Sequence, residues 1–215
     1  MTFHGVVRTM RLLPMLSILL ACPILNGCQS AEDPRTPDAP TTAPRVTMTV
    51  RLGGASSLTV HQHVTFADPS YSLSLSPDPP EMSIGDEERF RPVISNLTVV
   101  APGQAVQHVR RVDYDTWVSF VEPVREVTME YRMSGVMVHQ RPSVPGRYLV
   151  YATALSVGPV QGAERVIIVQ RALNLGCLTS DGRLEVCGHQ TGDGWEVRLP
   201  PERATTSVLA QIQAT

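Results

Sequence analysis

From Val46 onward the chain alternates apolar and polar residues with a period of two, and that period restricts it to strands more than any other feature. Val46, Met48, Val50 and Leu52 alternate with Thr47, Thr49 and Arg51; Leu58, Val60, Val64 and Phe66 alternate with Thr59, His61, His63 and Thr65. Successive strand side chains point to opposite faces, so each run reads as a strand with one dry and one wet face. Between the runs, Gly53-Gly54-Ala55-Ser56-Ser57 supplies turn chemistry, and the pair is predicted to form an antiparallel hairpin. Tyr71, Leu73 and Leu75 repeat the alternation until Pro77-Asp78-Pro79-Pro80 stops it.

Further strand-like runs cover residues 90–100, 104–113, 116–121, 126–139, 147–157, 164–173 and 195–199. Pro102-Gly103, Pro123, Pro142, Pro145-Gly146, Gly158-Pro159 and Pro200-Pro201 punctuate them, and no long stretch carries a helical stripe. Many short strands at this spacing predict an all-β fold, an antiparallel β-sandwich of immunoglobulin-like or related type. It would occupy residues 46–215 as one domain, or as two subdomains divided near 101–104. The run from Tyr148 to Val157 is apolar on nearly both faces, as a central strand would be, and Gly135 marks a bulge.

The N-terminus has a different grammar. Arg8 and Arg11 make a positive start, residues 12–25 are mostly apolar, and Leu25-Asn26-Gly27-Cys28 closes the segment with a small residue before a cysteine. This resembles the lipobox of bacterial lipoproteins. The resemblance implies a signal peptide over residues 1–27, a diacylglyceryl group on the Cys28 thiol and anchorage in the cell membrane on its extracytoplasmic face. Leu19-Leu20-Ala21-Cys22 fits more loosely, but cutting there would leave Pro23 beside the new terminus and Ile24-Leu25 in the tether, whereas Gln29-Ser30-Ala31-Glu32-Asp33 is a polar start. An ordinary secretory signal and an uncleaved anchor are the alternatives, and the apolar run is short of the roughly 20 residues that a span needs. Two acyl chains hold a protein stably on a bilayer where one is marginal.

Residues 28–45 then join Cys28 to a stretch rich in Pro, Thr, Ala and Asp, including Pro34, Pro37, Pro40 and Pro44, with no apolar periodicity. Such a composition cannot bury a core and predicts an extended, disordered tether. At ~3.1 Å per residue in polyproline II form it would reach up to ~50 Å.

Charge and residue usage remove several function classes. Removing residues 1–27 takes away two of the 18 basic residues and none of the 20 acidic ones, which leaves a mildly acidic protein with no clustered positive charge for nucleic acid. Every basic residue is Arg, so chemistries that require Lys, including the phosphate-binding loop, Schiff-base and Ser-x-x-Lys classes, are excluded. The Gly-x-Ser-x-Gly, His-Glu-x-x-His, Cys-x-x-Cys and Gly-x-Gly-x-x-Gly motifs are absent from the sequence, and no cofactor signature stands in their place.

Cys177 and Cys187 flank Ser180-Asp181-Gly182-Arg183. Asp-Gly favours a two-residue hairpin turn, which would set the cysteines opposite one another to within one residue and allow a cross-strand disulfide if a small bulge absorbs the offset. An exported setting favours that bond. The alternative is half a metal site with His189, which lacks the usual close pair of ligands and a fourth donor.

The remaining candidates are weak. His61 and His63 project from one strand face and could hold a metal, though the same face carries Thr47, Thr49, Thr59 and Thr65 and suits two solvated histidines equally well. Asp113 and Asp115 could act as paired carboxylates or serve as a charged edge. The acidic stretch over residues 81–89 lacks the regular oxygen spacing of a calcium loop and reads as a solvated loop. Trp117 and Trp195 could be platforms for sugar or peptide; core positions are the commoner fate of so large an apolar group.

The opening hairpin, Val127-Thr128-Met129-Glu130-Tyr131-Arg132-Met133-Ser134-Gly135, Pro145-Gly146-Arg147-Tyr148-Leu149-Val150, and the late Leu175-Gly176-Cys177-Leu178, Cys187-Gly188 and Gly194-Trp195-Glu196-Val197 together resemble extracytoplasmic β-sandwich domains of uncharacterised bacterial membrane-associated proteins. The expectation is a lipid-anchored binding or accessory module whose partner is an envelope protein or polymer. The alternatives are a metal-dependent or hydrolytic envelope enzyme using His61/His63 or Asp113/Asp115, and a purely structural or sensor domain.

Overall fold

The alternating runs pair into two sheets that close over one apolar core. A computed structural model of the chain describes residues 43–53, 57–78, 92–138, 144–160 and 162–213, all within the unit Ala39–Thr215. The expected signal peptide, Cys28, the tether up to residue 42 and the loop over residues 81–89 lie outside the described residues.

The larger sheet is built on β1 (Arg45–Leu52), β2 (Ser57–Pro77), β3 (Val93–Val100), β4 (Gln107–Val112) and β5 (Thr116–Ser134). The second begins with β6 (Met137–Val138) and β7 (Arg147–Tyr151). The chain then returns to the first for β8 (Leu155–Val157) and β9 (Glu164–Gln170), and crosses again for β10 (Ala172–Leu178) and β11 (Leu184–Cys187). Two more first-sheet strands, β12 (His189–Thr191) and β13 (Gly194–Leu199), precede β14 (Val208–Gln213) in the second. Among the described residues the first sheet runs β12-β13-β9-β1-β2-β5-β3-β4 with β8 beside β2, and the second runs β11-β10-β14-β7-β6.

The hairpin read from the sequence is present, with Val50 opposite Val60 and Leu52 opposite Leu58. Among the described residues the sandwich is mixed in one place: β1 pairs in parallel with β9, from Arg45 opposite Glu164 to Val50 opposite Val169. An ion pair closes the start of that pairing, with Arg45 Nη2 2.6 Å from Glu164 Oε2.

Two prolines that look like strand breakers lie inside strands. Pro69 in β2 and Pro123 in β5 both fall where the β2–β5 register shifts, between Thr65 opposite Glu126 and Ser72 opposite Ser119. The ladder is irregular there, so the missing N–H of proline leaves no central hydrogen bond unmade. Two expected pairs of strands thereby fuse into ribbons of 21 and 19 residues. Gly135, at φ 66°, ends β5 rather than bulging it.

Residues 147–157 form no single central strand. After β7 the chain passes through the core, with Ala152, Thr153 and Ala154 all buried, and reaches the first sheet as β8. The buried backbone of this crossing is bonded: Ala152 N–H donates to the Val208 carbonyl at 2.9 Å, Asp78 N–H donates to the Ala154 carbonyl at 2.9 Å, and Thr153 Oγ1 accepts from Val208 N–H at 3.2 Å. Apolar side chains of both sheets, among them Met48, Leu73, Ile94, Met129, Ile167, Leu175 and Ile212, fill the interior.

Candidate functional site

The outward face of β1, β2 and β5 carries the polar half of the alternation. Thr49 faces His61, which faces Glu130; one step along, Thr47 faces His63, which faces Thr128. His63 Nε2 lies 3.3 Å from Glu126 Oε2. His61 shares with Thr49, Arg51, Thr59 and Glu130 a depression of about 290 Å³. Among the described residues no three His, Cys, Asp or Glu side chains converge to hold a metal, so the two histidines stand as neighbours of carboxylates on a solvated face.

Asp113 and Asp115 do not share a strand face. Both lie in the bend between β4 and β5, where Asp113 is ion-paired to Arg111 and Asp115 is exposed.

Trp117 is 68% exposed, because the period in β5 sends Val118 and Phe120 inward and Trp117, Ser119 and Val121 outward. This corrects the expectation of a core position. Val121 is 90% exposed, and Tyr114, in the preceding bend, is 83% exposed. The outer backbone edge of this stretch is closed by side chains: Val121 N–H donates to Gln104 Oε1 at 3.1 Å, and Gln107 Nε2 donates to the Ser119 carbonyl at 2.7 Å. Trp195 is half-buried and packs against the core.

Cys177 and Cys187 form a disulfide with Cα atoms 5.7 Å apart. The turn differs from the two-residue form expected. Gly182 N–H bonds the Thr179 carbonyl and Thr179 N–H bonds the Arg183 carbonyl, enclosing three residues with Gly182 at φ 78°. Leu175 then faces Cys187 and Cys177 faces Glu185, so the bond is diagonal. Both thiols are consumed, and the alternative of a metal site with His189 falls away.

The sequence reading passed over an interior polar group. Gln62 and Arg165 occupy inward positions of β2 and β9, the first between Val60 and Val64, the second before Ile167. Tyr131 in β5 donates its hydroxyl to Gln62 Oε1 at 2.8 Å. Arg165 donates through Nη1 to the Ala204 carbonyl at 2.6 Å and reaches Met48 Sδ with Nη2 at 3.8 Å. Gln62 and Arg165, with Asp78, Val46, Leu155 and Ala204, line a cavity of about 70 Å³.

Desolvation dominates the electrostatics there. Burial raises the Tyr131 phenol well above its ordinary value, against a smaller lowering by the Arg165 charge. Burial likewise raises Tyr151, while hydrogen bonds to Ser207 and Thr153 pull it down. Burial lowers Arg165, partly offset by Tyr151, Tyr131 and Asp78. Both phenols therefore stay protonated at neutral pH, and the group acts as a brace inside the sandwich.

No protein-family model and no curated protein sequence matches the chain. Solved structures with some likeness include an aminopeptidase N family protein from Idiomarina loihiensis, at 10% identity and a TM-score of 0.43 over 78% of this chain. Another is an M1 zinc metallopeptidase from Deinococcus radiodurans, at 14% identity and a TM-score of 0.36 over 78% of this chain. The chain spans 29% of the first structure and 40% of the second.

Proposed function

We propose that the protein is a lipid-anchored binding module of the cell envelope, displayed on the extracytoplasmic face of the membrane through Cys28. The observation that carries the binding role is the exposed apolar ledge of Trp117, Val121 and Tyr114. Of the eleven large apolar side chains exposed among the described residues, three of the four most exposed fall within residues 114–121, and such a concentration of exposed apolar surface marks a contact site. Gln104 and Gln107 cap the adjoining strand edge, so a partner meets the ledge through side chains rather than by adding a strand. The lipobox-like Leu25-Asn26-Gly27-Cys28 and the proline-rich stretch after it support the address.

Two measurements test this reading. Cys28→Ala should move the protein out of the detergent phase or leave an uncut precursor, and unchanged partitioning would count against the anchor. A photo-crosslinking residue at position 117, in intact membranes, should give a discrete adduct that one at the exposed position 203 does not. Identical patterns from the two positions would remove the ledge as a contact surface.

A further inference from the structure

One row of residues runs straight across the outward face of the first sheet. Arg51 in β1 faces Thr59 in β2, Thr59 faces Arg132 in β5, Arg132 faces Ser95 in β3, and Ser95 faces Arg111 in β4. The three guanidinium groups are exposed and the two hydroxyls between them are half-buried. With neighbouring strands ~4.8 Å apart, the arginines recur about every 10 Å, on alternate strands.

They are not equivalent. Arg132 Nη2 is committed to the Gly53 carbonyl at 3.0 Å, and Arg111 is ion-paired to Asp113. Arg51 has no ion pair among the described residues, and it forms one wall of the depression that Thr49, Thr59, His61 and Glu130 complete. That lining offers a forked cation, two hydroxyls, an imidazole and a carboxylate acceptor within one hollow. A guanidinium fork matches a carboxylate with two parallel hydrogen bonds, and the other groups both donate to and accept from hydroxyls. The hollow lies at the lower end of the ~300–1,000 Å³ of small-molecule pockets and has room for a single sugar ring. Glu130 in the hollow, with Glu126 and Asp113 on or beside the same face, can accept from glycan hydroxyls and leaves the Arg51 wall as the place for the ligand's own carboxylate.

We propose that this row is a binding site for a carboxylate-bearing glycan of the polyuronate class. One ring sits in the depression with its carboxylate on Arg51, and the chain continues across the strands toward Arg132 and Arg111. The proposal rests on the reading of the protein as a binding module and names the ligand of a site at the other end of β5 from the Trp117 ledge.

The test is calorimetric titration of the purified full chain in detergent with hexagalacturonate and with its fully methyl-esterified form. The acid form should bind, with an affinity that weakens as salt is raised, and the uncharged ester should bind at least tenfold more weakly. Arg51→Gln should weaken binding of the acid form about tenfold with an unchanged melting temperature, and Arg51→Lys should restore it only in part. Arg147→Gln, at an exposed arginine of the second sheet, should leave the titration unchanged. No binding of the acid form, equal binding of acid and ester, or an Arg51→Gln variant that binds as well as the native chain would each overturn the site. The titration does not depend on membrane attachment, so a failed anchor and a failed glycan site give separate results.

Discussion

Tyr131 donates its hydroxyl to Gln62 Oε1 at 2.8 Å between two strands whose other inward side chains are apolar, and both residues are almost wholly shielded from water. Removing one partner strands the other without solvent, while removing both does not. Tyr131→Phe should therefore destabilise the fold by about 1–3 kcal/mol, and Tyr131→Phe combined with Gln62→Met should recover most of that loss. Chemical denaturation of the two single variants and the double variant checks this; additive losses would mean that the pair is not coupled.

Burial also gives the fold an alkaline limit. A phenol held above its ordinary value of 10.0 stays protonated in the native state while the unfolded chain ionises, so its contribution is complete below pH 10 and declines as pH rises through the native value. Stability measured from pH 9 to pH 11.5 should fall with a slope that Tyr131→Phe and Tyr151→Phe each flatten. A slope indifferent to both substitutions would locate the titration elsewhere.

The disulfide closes a short loop, Cys177 and Cys187 standing ten positions apart in the sequence. Cys177→Ala/Cys187→Ala should cost about 2–3 kcal/mol, which for a domain of this size lowers the melting temperature by roughly 5–10 °C. Alkylation before reduction should label neither residue. Labelling of both in the native protein would contradict the bond.

Gly188 and Gly182 share a φ of 78° but not a setting. A Cβ at Gly182 meets nothing within 4 Å, whereas one at Gly188 would run into the Glu196 carbonyl. Gly182→Ala should cost only the left-handed penalty of about 1–2 kcal/mol, and Gly188→Ala clearly more. Equal melting temperatures for the two variants would show that β12 gives way freely.

The tryptophans should report on separate environments. Trp117, being exposed, should be quenched readily by acrylamide, and the Trp117→Phe variant should retain only the more protected emission of Trp195. A variant quenched as readily as the native protein would contradict the placement of Trp117.

The sequence makes the strand content, the opening hairpin and the cysteine pairing readable because each depends on near neighbours. Alternation sends Val46, Met48, Val50, Leu58, Val60, Val64 and Phe66 inward as read, while Leu52, at the end of the hairpin, is exposed; a Gly beside an Asp locates the β10–β11 hairpin, although one extra loop residue shifts its register by a step. Pro123 misleads because a residue that breaks a regular ladder is tolerated where the ladder is already irregular, and that irregularity belongs to the partner strand as well. The parallel alignment of β1 with β9 leaves no local trace. The interior brace did leave one: Gln62 and Arg165 stand at positions that the period assigns to the core, and a polar residue there has to find a bond. Trp117 obeys the same period, which outranks the general tendency of tryptophan to be buried.

β1 is held on one side by the strand made just after it and on the other by a strand whose first residue lies 119 positions later, Arg45 against Glu164. A growing chain can zip the first of these seams at once, but the second must wait for residues 164–170 to arrive. Until then half of the hydrogen-bonding groups at the very beginning of the domain face outward as an open template, and the domain's first strand is among the last to be sealed.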